Sequence, residues 1–295
     1  MRKNKSANKK SKIFIVLVII LAVLLVSSRT CKLTRRNLNP VNSGIKSEIS
    51  HQTNPDTLKI QNKEPMHGIS QPDKNILLGK LTRPQRDSLL SPIERKYANR
   101  DGMFMHREAY NAFLEMHDAA KEDGIELIIV SAFRDFDHQK RIWENKWTGQ
   151  QVLSGNIYAT DIANPVDRAR EILRFSAMPG TSRHHWGTDI DLNSLNNRYF
   201  ESGRGKREYQ WLKENAGRFG FCQPYTAKGD GRYQGYEEEK WHWSYKPVAA
   251  VYLKTFADSV SYNDIMGFEG WQTARELNVI ENYVLSVNKN CITGN

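Results

Sequence analysis

The apolar positions divide the chain into three stretches. Fourteen consecutive apolar residues run from Ile13 to Val26. Residues 29 to about 75 are rich in Asn, Ser, Lys, Gln and Pro with little apolar periodicity, a composition that predicts a disordered tether. From Ile76 onward apolar residues recur at helical and strand periods. Pro84 to Tyr97 predicts a short helix or two. His106 to Asp123 predicts a longer helix, with Ala109, Phe113, Met116 and Ala120 on one face and Gly124 as its stop. Ile125 to Val130 predicts a buried strand, and Asp137 to Trp147 a helix with Trp143 and Trp147 turned inward. Further helices are predicted over Pro165–Ser176 with Asn164 as cap, Arg207–Phe219, Pro247–Val260 and Trp271–Val287. The expected fold class is α+β, a small antiparallel sheet flanked by helices. The expected division is a signal or membrane-anchor segment over 1–28, a tether over 29–75 and a folded domain over 76–295.

Between Pro179 and Leu192 the period changes to two. Ile190 and Leu192 alternate with Asp189 and Asp191, which puts both carboxylates on one face of a strand. His184 precedes them, and Gly187 between lets the chain turn without a side chain crowding a bound ion. His185, next to His184 on an extended chain, would point away and serve as a supporting or core residue. Downstream lies Glu239-Lys240-Trp241-His242-Trp243, where both tryptophans would occupy the face opposite His242. Upstream lies Ser131 to Gln139, with Arg134 at the end of the predicted strand.

A catalytic zinc takes three protein ligands and keeps a fourth position open. His184, Asp191 and His242 are ligand types that suit Zn²⁺. Arg134 could hold a carboxylate or a developing oxyanion with its planar fork of donors. From the residues alone other readings stay open. The His- and Trp-rich segments suit an ordinary core, Arg134 could pair with Asp135 or Asp137, and Glu239 ends an acidic run of the solvated kind.

Ser182-x-His184-x2-Gly187-x3-Asp191, then Glu239-x2-His242, preceded by Ser131-x2-Arg134-x4-Gln139, resembles the zinc D-alanyl-D-alanine carboxypeptidases and dipeptidases. That group includes the vancomycin-resistance carboxypeptidases. The resemblance runs from Asn99 to Tyr245. It implies Zn²⁺ on His184, Asp191 and His242, catalysis by Glu239 and Arg134, and substrate contacts from Arg134, Gln139 and Ser182. It also implies a peptidoglycan stem peptide or D-Ala-D-Ala as substrate. The activity it implies is removal of the terminal D-Ala from the stem peptide, with a dipeptidase on free D-Ala-D-Ala, or cleavage of a cross-bridge or an L,D linkage, as alternatives. A module that binds peptidoglycan without hydrolysing it is the competing reading, and an intact Glu239 speaks against it. Where the family pattern often has Ala, this chain has Asp189. That leaves two carboxylates as possible ligands, with Asp191 preferred. Glu239 and His242 are an odd number of positions apart, so the chain must turn or bulge between them to bring both to one site.

Charge and cysteines add the compartment. The first 36 residues carry ten of the Lys and Arg and no acidic residue, and the remainder is balanced. The net charge of +10 is therefore an N-terminal property and predicts no nucleic-acid partner for the folded domain. Six basic residues before Ile13 form the n-region of an export signal. An uncleaved anchor, a cleaved signal peptide and lipidation at Cys31 are all open. Each places the domain in the cell envelope on the exported side, with the membrane reached through the N-terminal segment. Cys222 and Cys291 either pair in that oxidising compartment or stand as two thiols.

Overall fold

The predicted helix after His106 runs from Arg107 to Glu122, with Ala109, Phe113, Met116 and Ala120 fully buried. Gly124 at φ 72° takes the left-handed turn that ends it. The computed structural model describes residues 71–229 and 231–292. The apolar run at 13–26 and the tether to residue 70 lie outside the described residues. No helix among the described residues is long and apolar enough to cross a membrane.

A two-stranded hairpin, β1 (Leu90–Pro92) with β2 (Phe104–His106), leads into that helix. Four further strands form an antiparallel sheet: β3 (Ile129–Ser131), β4 (Asp189–Leu192), β5 (Phe221–Cys222) and β6 (His242–Tyr245), in the order β3-β4-β6-β5. The α+β expectation is met. Ile129, Ile190, Leu192, Phe221 and Trp243 share one buried apolar cluster with Phe113 and Met116 of the helix. Alternation then turns Asp189, Asp191, His242 and Ser244 to the other face. The register sets Asp189 opposite Ser244, Ile190 opposite Trp243 and Asp191 opposite His242, so chemistry faces chemistry across the β4–β6 pair.

A second apolar cluster is built from the helices Phe136–Trp147, Pro165–Ile172 and Lys246–Ser259 with the C-terminal segments. Trp143 and Trp147 stack within it, 6.1 Å between ring centroids. Asp135 caps the first of these helices through the His138 N–H. Asn164 caps the second through the Val166 and Asp167 N–H groups, ahead of Pro165.

Four elements differ from expectation. The strand predicted from Ile125 starts only at Ile129, because the Ile128 N–H is taken by the Asn193 side chain and its carbonyl by the Asn193 N–H. Pro84–Tyr97 is a helix, Arg83–Leu89, that runs into β1 and ends in a turn at Arg95–Tyr97. The predicted helix Arg207–Phe219 begins earlier, as Gly203–Asn215, and tightens into a turn over Ala216–Phe219. Trp271–Val287 is not one helix: Asn278 takes φ 47°, separating a short helix, Thr273–Glu276, from a wide turn at Ile280–Val284.

Cys222 and Cys291 form a disulfide, resolving the open alternative in favour of the pair. It fastens the C-terminal segment to β5. Neither cysteine should react with a thiol reagent in the denatured, unreduced protein. Cys222→Ser should lower unfolding stability by about 2–5 kcal/mol, read by denaturant titration.

Candidate metal centre

Residues Arg183–Trp186 form one tight helical turn, not an extended strand, and Gly187 at φ 69° ends it. A Cβ at Gly187 would lie 2.9 Å from the His106 backbone nitrogen, whose N–H donates to the Gly187 carbonyl. The glycine is therefore required by the close approach of β2, not by space at the ion.

This turn aims His184 at β4 and β6. His184 Nδ1 lies 2.9 Å from the Ala132 carbonyl, which can only accept, so Nδ1 carries a proton and Nε2 is left free. Nε2 stands 3.4 Å from Asp191 Oδ1. His242 donates from Nε2 to Asp189 Oδ2 at 2.9 Å, which turns Nδ1 towards Asp191 Oδ1, 3.6 Å away. One ligand atom from each of His184, Asp191 and His242 lies within 4.8 Å of the others, and all three residues are buried. Asp191 Oδ1 is buried with no hydrogen-bond partner, an arrangement that costs free energy unless a cation satisfies it. Two imidazole nitrogens and a carboxylate, each imidazole held through its other nitrogen, fit Zn²⁺ with a position left open.

The charges agree. Burial alone would raise the Asp191 carboxyl, but His184 and His242 override it and hold it down at about 2. Burial would lower His242, but its bonds to Asp189 and Glu239 raise it to about 10. Without a metal, His242 thus carries the positive charge that the surrounding carboxylates demand. Burial pushes Glu239 up, opposed by His242. The turn required before β6 is present: the His242 N–H donates to the Glu239 carbonyl, and Glu239 Oε2 comes within 2.9 Å of His242 Nδ1.

Asp189, the second carboxylate of β4, is not turned to the ligand cluster as a rival of Asp191. It is fully buried and accepts from Arg183 Nε at 2.9 Å, Thr188 Oγ1 at 2.8 Å and Ser244 Oγ at 2.8 Å, besides His242. A carboxylate on the far nitrogen of a ligating histidine fixes its tautomer and orientation. Asp189→Asn should weaken zinc binding by about 10–100-fold in a chelator competition. It should also cost roughly 3–5 kcal/mol of stability, because Arg183 is left buried without its counter-charge. Asp189→Asn with Arg183→Met should recover stability but not zinc affinity.

Arg134 belongs to the same construction. Its N–H donates to the His184 carbonyl at 3.1 Å. Its own carbonyl accepts from His185 Nδ1 at 2.6 Å, while the Gly180 N–H donates to His185 Nε2 at 3.0 Å. His185 is therefore neutral in a fixed tautomer, and burial holds its pKa down at about 3. The ring fills the space beside Gly79, where any Cβ would lie 2.4 Å from Nδ1. The supporting role expected of His185 holds, but it arises in a helical turn. The Arg134 guanidinium forms no ion pair among the described residues, so the pairing with Asp135 or Asp137 is absent.

A cavity of about 1070 Å³ opens over the ligands. Arg134, Ser182 and Glu239 line it, as do Tyr225 and Tyr236 from the Gly- and Tyr-rich segment before β6. Gln139 does not line it: its Nε2 donates to the Ala177 carbonyl at 2.7 Å, and Oε1 is buried without a partner. Trp241 also departs from expectation. Trp243 packs in the core opposite His242, but Trp241 precedes the strand and lines the cavity beside Phe175. Arg183 and Lys146, neither singled out from the sequence, line it as well.

A buried His-Asp-His set with a carboxylate beside it, on an antiparallel sheet, is a metal-binding triad of the kind zinc metallopeptidases carry. The family model for D-alanyl-D-alanine carboxypeptidase, VanY, matches residues 102–248, and this chain belongs to that family. A D-alanyl-D-alanine carboxypeptidase of Enterococcus faecalis (strain ATCC 700802 / V583) is 30% identical over 137 residues, 46% of each chain. YodJ of Bacillus subtilis (strain 168), a carboxypeptidase by name, is 32% identical over 144 residues, 48% of this chain and 46% of that one. The chain thus spans a little under half the length of these relatives. Among solved structures, the LD-carboxypeptidase LdcB is 26% identical with a TM-score of 0.43, over 63% of this chain and 78% of that one. A vancomycin-resistance D,D-pentapeptidase VanY, in complex with Zn(II), is 25% identical with a TM-score of 0.41, over 55% and 86%.

Proposed function

We propose that this protein is a zinc-dependent carboxypeptidase that removes the C-terminal D-Ala from peptidoglycan stem peptides. The observation that carries the reading is the convergence, in one cavity, of three ligand atoms, a buried carboxylate off the ligand set and an unpaired guanidinium. Zinc, when bound, supplies a Lewis acid that acidifies water and polarises a carbonyl. Glu239 takes the proton of the attacking water and returns it to the leaving amine, a task suited to a carboxyl raised by burial. Arg134, held through both its N–H and its carbonyl by the metal turn, stabilises the charge that develops on the scissile carbonyl oxygen. Ser182 contributes a hydroxyl at the cavity wall. Gln139 supports that wall from behind, its Nε2 donating to the carbonyl of Ala177, a residue that lines the cavity. The N-terminal segment exports the domain and anchors it in the envelope, where this substrate lies.

Mass spectrometry of purified muropeptides before and after treatment tests the reading. Loss of one alanine from pentapeptide stems, abolished by chelator and restored by zinc, is the expected result. Unchanged stems, or separation of cross-linked stems without loss of a terminal residue, would refute it.

A further inference from the structure

Lys146 sits near the end of the helix Phe136–Trp147, between two tryptophans that anchor that helix in the core. Its own side chain goes the other way, into the cavity, where Nζ meets the Ser176 hydroxyl. No carboxylate pairs with it among the described residues. Arg134, also unpaired, lines the same cavity. Of the carboxylates beside them, Glu239 is committed to His242 and Asp191 belongs to the ligand cluster. Both cations are half-buried and neither has a counter-ion among the described residues, an arrangement that a ligand bringing negative charge relieves.

We propose that Lys146, with the Ser176 hydroxyl, binds the free C-terminal carboxylate of the peptide, so that the site accepts chain ends and rejects internal bonds. This rests on the carboxypeptidase reading above and adds the group that selects for an exopeptidase substrate. The two cations then divide the work. Arg134 is tied by its backbone to the metal turn, so its charge serves the scissile carbonyl. A terminal carboxylate lies one residue beyond that carbonyl and needs a cation beside the metal end rather than at it. Lys146 reaches into the same cavity from a different element. Burial, and then Arg134, pull the Lys146 pKa down to about 8, with Glu239 opposing them. An ammonium–carboxylate contact of this kind is charge-assisted and partly shielded from water. The same chemistry could be met by a side-chain carboxylate of the stem peptide, and the test separates the two.

The test is binding, measured calorimetrically on zinc-loaded protein carrying Glu239→Gln so that the peptide stays intact. Three peptides ending in D-Ala-D-Ala are compared: the free acid, its C-terminal amide, and the free acid with its side-chain carboxylate amidated. With Lys146 present, the free acid should bind about tenfold tighter than the C-terminal amide, the equivalent of about 1.4 kcal/mol. Lys146→Met should bring the acid and the amide within about twofold of each other, well inside one tenfold step, and Lys146→Arg should keep the preference. Lys146→Gln repeats the measurement should the methionine variant fold poorly. An acid preference unchanged in both neutral variants, or absent with Lys146 in place, overturns the proposal. So does a penalty that appears only on amidating the side chain. If wild-type protein releases no D-Ala from stem peptides while the acid preference is present and depends on Lys146, the carboxypeptidase reading fails and the carboxylate site stands.

Discussion

Glu239→Gln is expected to bind zinc as the wild type does, bind peptide, and release D-Ala at a rate lower by about 10²–10⁴, the usual contribution of a positioned general base. The carboxylate is 5% exposed and sits 2.9 Å from His242 Nδ1, beside the ligand cluster but not one of its three members. A glutamine has the same shape, so the cavity and the turn before β6 should survive. What it lacks is the capacity to take a proton and give it back. The neighbouring acids are not equivalent. Glu238 reaches towards Lys240, 3.9 Å away, and Asp189 is saturated by Arg183, Thr188, Ser244 and His242. Glu238→Gln should therefore stay close to wild-type activity. Zinc content measured beside the rate decides the role. Retained activity in Glu239→Gln would sink the assignment. Lost zinc would show Glu239 to be a fourth ligand instead of a base.

The local pattern in the sequence reached the fold where burial and period agree. Ala109, Phe113, Met116 and Ala120 define a helix face, and Ile190 and Leu192 a strand face, because each must meet the same core. The placement of both β4 carboxylates on one side follows from that alternation. It failed where a single backbone partner decides the outcome: Asn193 stealing the Ile128 pairing, or Asn278 in a left-handed turn, leave no trace in apolar period. The candidate ligands were legible as residue types at spacings carried by a family resemblance. Their support was not. Arg183 pairs with Asp189 only because the chain makes a helical turn and then reverses through Gly187, and Lys146 meets the cavity only after Trp143 and Trp147 have fixed its helix. Such contacts come from tertiary geometry, for which neighbouring residues in sequence offer no signal.

His184→Ala, Asp191→Ala and His242→Ala should each fall from about one zinc per chain to nearly none after dialysis, because a catalytic site has only three protein ligands to share the ion. The three substitutions should also share a second signature that does not depend on activity. Zinc that binds the folded protein and not the unfolded one raises stability by RT ln(1 + [Zn]/Kd), about 4.1 kcal/mol at a thousandfold excess over Kd. Wild-type protein should therefore show a melting temperature that climbs with added zinc and drops with chelator, while the three variants should melt at one temperature throughout. Asp191 gives the sharpest case. Its Oδ1 has no hydrogen bond to lose, so Asp191→Ala removes a ligand together with a buried charge and leaves no donor stranded by that oxygen. Its metal-free stability should accordingly suffer less than that of Asp189→Asn, which abandons Arg183. The order of the two reverses for zinc: Asp191→Ala abolishes binding, whereas Asp189→Asn only weakens it. Full zinc occupancy in all three alanine variants, or a zinc-dependent melting shift that survives in them, would remove His184, Asp191 and His242 as the metal site.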